Sequence, residues 1–317
     1  MLRRRRRALA LVALLLVTSA CTDDEPSTYR RKDATTAAPT PSTVSPTTRL
    51  VDTACDDAEA LKRLPPRLVT GSEIVEASGV AVVPGTDGPV WVHNDSGDRA
   101  RVFAVVDGER VTAHDVPGAA AIDWEDMAAG PDGQLYVGDI GDNDAKRPSI
   151  TVYRFPAPDP ATDGPAADVA TTSLTYADGP HNAEALMIDP VDELLVIVTK
   201  GDGPAGVYAT PLPLGDAAVL ERVGEVDTGG IGPLGLVTGG DVSPDGSAVL
   251  LRTYGGGLLY RRPAGRPMAS AFAGPACDVP TGVEIQGEAV AFTGTGDGYL
   301  TIGEGQDPTI SGFAAPD

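Results

Sequence analysis

The 317-residue chain carries 45 acidic and 24 basic side chains, a formal charge of −21, and without the five arginines of its opening stretch, Arg3 to Arg7, that charge is −26. An anionic excess of this size repels nucleic acid and anionic lipid surfaces and favours cationic partners or metal ions. Thirty-eight glycines, 28 prolines and the lack of any long amphipathic helical run exclude a helical bundle and point to an all-β chain rich in turns.

Residues 1–20 (MLRRRRRALALVALLLVTSA) have a basic start, an apolar stretch from Ala8 to Val17 and small residues before Cys21. That is the layout of an export signal, too short to cross a membrane comfortably. VTSAC (Val17 to Cys21) resembles a bacterial lipobox, with Thr18 where an aliphatic residue is usual. The resemblance implies acylation of Cys21 and a protein held at the outer side of the cell membrane. Without acylation the chain would be secreted. Residues 21–51, dominated by Thr, Ser, Pro and Ala, lack the apolar side chains needed to offset ordering entropy and are predicted to be a disordered tether. Beyond Cys21 the chain has only Cys55 and Cys277, an even pair suited to one disulfide in an oxidising compartment.

The folded domain is predicted over 52–317, where a unit repeats. Ser78, Glu125, Glu184 and Thr238 each stand six residues before a proline, and a fifth copy starts at Glu288 with Gly294 in the proline position. The starts are separated by 47, 59, 54 and 50 residues. Each copy reads as a strand, a turn and a second apolar strand, the last being Val90–Val92, Leu135–Val137, Leu194–Val198, Ala248–Leu251 and Tyr299–Ile302. A polar or glycine-rich loop follows each pair, as in HNDSGD (His93–Asp98) and GDIGDN (Gly138–Asn143). About fifty residues and four short strands per unit, a WD40-like length, is the signature of a β-propeller blade. Five blades of four antiparallel strands are expected, or six if residues 52–77 pair differently. The last copy is too short for four strands, so the ring should be closed by an N-terminal strand, Arg67–Val75, with the Cys55–Cys277 bond fastening the closure.

In such a fold the starts of the first strands share a face with the loops leaving the second strands. Glu125, Glu184 and Glu288 occupy one repeat position, with Ser78 and Thr238 in the other two copies. They should ring the channel mouth, with Asp126 and Asp95 beside them. Converging carboxylates raise one another's pKa values or recruit a cation. Calcium, which takes six to eight oxygens in irregular geometry, is the expected ion. Its candidate ligands are Asp95, Glu125, Asp139, Asp142, Glu184 and Glu288. His93 and His181 flank the same loops, either as ligands or general bases, or as partners of the loop backbone. Trp91 and Trp124 are expected to pack between blades, with stacking of a sugar the alternative for Trp124. No GxSxG, HExxH, GxxxxGK[ST] or CxxC motif occurs, which argues against several hydrolase, nucleotide and redox classes.

At HNDSGD, DWEDM (Asp123–Met127), GDIGDN and KRPSITVYRF (Lys146–Phe155) the chain resembles a group of secreted and lipoprotein-type bacterial β-propellers of unsettled activity. More distantly its strand starts are similar to those of esterase-like phytase and other calcium-associated propellers. The resemblance implies the propeller fold and leaves function open. The main expectation is an extracytoplasmic, monomeric, lipid-anchored propeller binding a ligand on an acidic, calcium-loaded face. The alternatives are a hydrolase of sugars or phosphoesters using the channel carboxylates, and an envelope scaffold that binds another protein.

Overall fold

The computed structural model describes residues 44–70, 73–107 and 110–316. The leader (1–20), Cys21 and most of the tether lie outside the described residues. The tether expected to reach Val51 gives way to a helix at Pro46. α1 (Pro46–Asp56) is capped by Ser45, whose hydroxyl accepts from Thr48 N, and Pro46 pre-sets the first turn. Composition hid this helix because only one face is apolar: Leu50, Val51 and Ala54 are buried. No helix among the described residues is long and apolar enough to cross a membrane.

The rest is strand. After β1 (Lys62–Leu68), one antiparallel sheet holds β2 (Ala77–Val82), β3 (Val90–Asn94), β4 (Arg101–Val105) and β5 (Val111–Asp115). Next come β6 (Trp124–Ala129), β7 (Gln134–Asp139), β8 (Ile150–Pro156) and β9 (Ala170–Tyr176), then β10 (Ala183–Asp189), β11 (Leu194–Thr199), β12 (Ala205–Pro211) and β13 (Ala217–Val226). These two antiparallel quartets join into one eight-stranded sheet through parallel pairing of β9 with β13. β14 (Val237–Val242), β15 (Ala248–Thr253), β16 (Gly256–Arg261) and β17 (Cys277–Val279) form another sheet. In the last, β18 (Gly287–Phe292), β19 (Gly298–Gly303) and β20 (Thr309–Ala314) are completed by β1. The architecture is all-β and β-propeller-like.

Each first strand starts one residue before the repeat position read from sequence. β2 packs on β6, β6 on β10, β10 on β14, β14 on β18, and β18 on β2. The core lies between neighbouring sheets. Ala81, Trp91 and Val102 meet Met127, Val137 and Phe155 across one seam, and Val196 and Val207 meet Val249 and Leu251 across another. Trp91 and Trp124 are both buried in these seams, as packing residues.

The closing strand differs from the expected Arg67–Val75. β1 is Lys62–Leu68, paired antiparallel with β20 in a register broken between Leu64 and Arg67. The irregularity falls on Pro65 and Pro66, which have no N–H to donate and are tolerated on an outermost strand. The disulfide Cys55–Cys277 is present and ties the end of α1 to β17. Cross-linking residues 222 apart in sequence restricts the unfolded chain by about 5 kcal/mol in the entropic description. Ser45 donates to Asp245, in the β14–β15 turn, at 3.0 Å. α1 therefore begins at the turn end of that sheet, away from the start of its first strand.

Candidate functional site

The five first strands share one irregularity. In each, the pairing with the second strand slips by one residue, between Ala77 and Gly79, Trp124 and Asp126, Ala183 and Ala185, Val237 and Gly239, and Gly287 and Ala289. The residue left without a cross-strand partner is Ser78, Glu125, Glu184, Thr238 or Glu288, the position picked out by the sequence repeat. A β-bulge of this kind re-aims one side chain and recurs beside functional sites. The two hydroxyls are spent on structure, each donating to the next first strand: Ser78 to Glu125 O at 2.6 Å, Thr238 to Gly287 O at 3.1 Å. The three glutamates, each no more than 6% exposed, are left to define the mouth.

On one side Glu125 meets Asp95 and Asp123, with a carboxylate oxygen of each within 4.8 Å of the others. Gly141, in the GDIGDN loop, makes this approach possible. A Cβ there would stand 2.2 Å from Glu125 Oε1 and 2.3 Å from Asp123 Oδ2. The Glu125 carboxyl, although buried, receives no hydrogen bond among the described residues. Burial, then Glu184, Asp95 and Asp123, push its pKa far up. Burial and Asp95 raise Asp123 as well.

On the other side Glu184 is bonded by Lys200 Nζ at 2.5 Å, and the same ammonium lies 2.8 Å from Tyr254 Oη. Glu184 is still raised, because desolvation outweighs the Lys200 charge. Gln286 donates to Glu288 at 2.5 Å and to Glu304 at 2.8 Å. Burial pushes Glu288 to about 7. The mouth thus combines carboxylates raised above their usual range with, among the described residues, one ammonium and a phenol.

Several predicted residues stand elsewhere. Asp126 is fully buried, below the mouth, where it accepts from Met127 N at 2.8 Å, Leu186 N at 3.0 Å and Gly240 N at 3.1 Å. It ties β6 to β10 and β14 and is no surface ligand; burial holds it well above the usual carboxylate range. Asp139 is fully buried and engaged by Ile122 N, Asp123 N and the Arg147 guanidinium. Asp142 accepts from Arg147 N at 2.6 Å. Neither joins the cluster, because Arg147 and local backbone consume their oxygens. His93 is fully buried between sheets, donating from Nδ1 to Asn94 O at 2.9 Å in the tautomer that bond requires and lying edge-on to Trp124. Its ring takes the space over Gly79, where a Cβ would come within 2.2 Å of Nε2. Burial lowers its pKa. His181 is committed to Asp178 at 2.9 Å and Tyr208 at 2.8 Å.

Sequence reasoning missed Asp123, Tyr254 and Gln286 as mouth residues, while Lys200 stands in the TKGDG loop among the basic residues able to offset the carboxylate field. For Asp123 the signal was available, since it precedes the repeat position by two in DWED. The sequence does not single out Lys200, just past β11, from the other basic residues as the partner of Glu184, so the surplus of unmatched carboxylates is smaller than expected.

No family model matches the chain, and no curated protein is similar to it at a significant level. Among solved structures it is similar to a gluconolactonase of Xanthomonas campestris, with 14% identity, a TM-score of 0.42, and 80% of this chain and 96% of that chain covered. A likeness this distant carries no argument about chemistry or substrate.

Proposed function

We propose that the protein is an extracytoplasmic, monomeric β-propeller of five four-stranded blades, closed by β1, whose acidic mouth binds a cation. Export and anchoring rest on the leader and Cys21, and the Cys55–Cys277 bond suits an oxidising compartment. The observation that carries the binding reading is the convergence of Asp95, Asp123 and Glu125, with one carboxylate oxygen of each within 4.8 Å of the others. Carboxylates brought this close repel one another when ionised, and a cation among them relieves that repulsion. Oxygen-only donors in irregular geometry fit calcium better than zinc.

Calcium at a hundredfold over its Kd should stabilise the fold by about 2.7 kcal/mol, read as a rise in melting temperature, and Asp123→Asn should abolish the rise. No rise at millimolar calcium would overturn the divalent-cation reading.

A second reading, hydrolysis, is favoured by Glu184 and Glu288, whose raised pKa values suit proton transfer near neutrality, and by Lys200 beside them. Under it, chromogenic glycosides or phosphoesters should be turned over, and Glu184→Gln should lower kcat by roughly 100-fold or more. Turnover unaffected by that substitution would remove Glu184 from the role.

A further inference from the structure

At the turn end of the strands, opposite the mouth, a pocket of 250 Å³ opens between the β6–β9 and β10–β13 quartets. Tyr136 and Ile188, from the apolar core of that seam, line it. Three proline rings add walls: Pro131 from the β6–β7 turn, Pro190 from the β10–β11 turn and Pro213 from the β12–β13 connection. The parallel pairing of β9 with β13 closes the outer side. It carries the β12–β13 connection across the seam, where Thr172 Oγ1 donates to Gly215 O at 2.7 Å and Ser173 N to Asp216 O at 2.9 Å. Leu212 N donates to Glu193 O at 2.8 Å and Ala157 N to Gly133 O at 3.0 Å, which fixes the remaining walls. Proline rings have no rotamers to freeze, so a ligand would have little ordering left to impose.

Two polar groups in this apolar setting have no partner among the described residues. Tyr136 is 4% exposed, yet its hydroxyl makes no hydrogen bond, and the half-buried Arg154 guanidinium makes neither a hydrogen bond nor an ion pair. The two are cross-strand partners on β7 and β8 and stand side by side on one face. Burial raises the Tyr136 pKa, Asp132 adds to the rise and Arg154 opposes it, so the hydroxyl stays protonated beside a fixed positive charge. Buried polar groups are ordinarily satisfied. A guanidinium fork with a phenol beside it offers both oxygens of one carboxylate a donor.

The other charges and the volume limit what enters. Asp132 and Glu193 are exposed at the rim, Asp132 Oδ1 accepts from Gln134 N at 3.2 Å, and Asp189 is held by Arg262. A second negative charge on a ligand would meet these carboxylates. The volume lies below the roughly 300 Å³ at which pockets for drug-sized ligands begin, which leaves room for one small ring or a short chain.

We propose that this pocket binds a small apolar monocarboxylate, with the carboxylate held by Arg154 and Tyr136 and the apolar part lodged among Pro131, Pro190 and Pro213. The site is separate from the acidic mouth and does not depend on what binds there.

The test is NMR of full-length protein carrying carbon-13 at tyrosine Cζ, titrated with phenylacetate, with its neutral amide phenylacetamide and with the dianion homophthalate; Tyr136→Phe assigns the Tyr136 resonance. Phenylacetate should move that resonance while Tyr260 and Tyr299, buried in other seams, stay still. Its Kd should be at least about tenfold tighter than those of the amide and the dianion. Arg154→Gln should bring phenylacetate down to the level of the amide, and Arg154→Lys, which keeps the charge and loses the planar fork, should recover only part of the difference. A Tyr136 resonance unmoved up to about 10 mM phenylacetate, equal binding of acid and amide, or undiminished binding in Arg154→Gln overturns the proposal. Should the Arg154 variants fail to fold, the comparison of acid with amide on the wild type decides it alone.

Discussion

Without added divalent cation, the protein should become less stable as the pH rises from about 5 to about 8, by roughly 3–5 kcal/mol. Most small domains do not lose that much across this range. The sign follows from the mouth and the channel beneath it. Burial raises Glu125, Glu184 and Glu288, and raises Asp241 to about 7 although Phe292 N and Val242 N bond to it. Below the unfolded-state value near 4.5 both states hold these protons, and there is no pH effect. Above it the unfolded chain ionises while the native one stays protonated, so the native state binds more protons and stability falls until the native groups titrate. Glu184 and Glu288, each 4% exposed, contribute on the order of 2 kcal/mol apiece after allowance for their coupling. Urea midpoints measured across this range check it. Saturating calcium should flatten the slope by favouring the ionised carboxylates, and Glu288→Gln should flatten part of it without metal. Stability that is level, or that rises with pH, would show that these carboxyls ionise freely.

The second large effect is structural. Arg262 is nearly buried, and its guanidinium bonds Asp189, fully buried, at 2.9 and 3.1 Å. It also reaches Asp192 at 2.9 Å, Arg266 O at 2.8 Å and Gly246 O at 3.3 Å. One side chain thereby joins the β10–β11 turn to the β14–β15 turn. Arg262→Met should destabilise the protein by about 3–5 kcal/mol, because it leaves the buried Asp189 charge without its ionic partner and with only the Val191 amide donating to it. The double variant Arg262→Met with Asp189→Leu should recover much of the loss, since an apolar pair of similar volume often replaces a buried ion pair without cost. Equilibrium unfolding of the wild type and the two variants tests this. If the double variant is no better than the single, packing of the arginine stem rather than the stranded charge dominates.

Much of the scaffold was legible because its signal is periodic. The repeat position marks the bulged residue in all five first strands, since a bulge recurs only where each copy keeps the same register with its second strand. What periodicity cannot report is which polar groups consume one another across the chain. Asp139 and Asp142 read as free carboxylates until Arg147 is seen to hold them. His93 reads as a loop residue, whereas β3 extends through Asn94 and its alternation turns the imidazole inward. The closing strand was misplaced because Pro65 and Pro66 resemble a strand terminator, and only an outermost position makes them acceptable. Asp126 was placed among the surface ligands because it adjoins Glu125. One residue past the bulge, it is instead the hub that three backbone amides converge on.

The hydrogen bond from Ser45 to Asp245 fixes where the polypeptide joins the barrel of strands: at the hairpin tips, opposite the openings of the glutamate-bearing strands. Ser45 and the start of α1 therefore sit at the far edge of the β14–β17 sheet from Thr238, so the helix braces the hairpin tips and not the bulged strand starts.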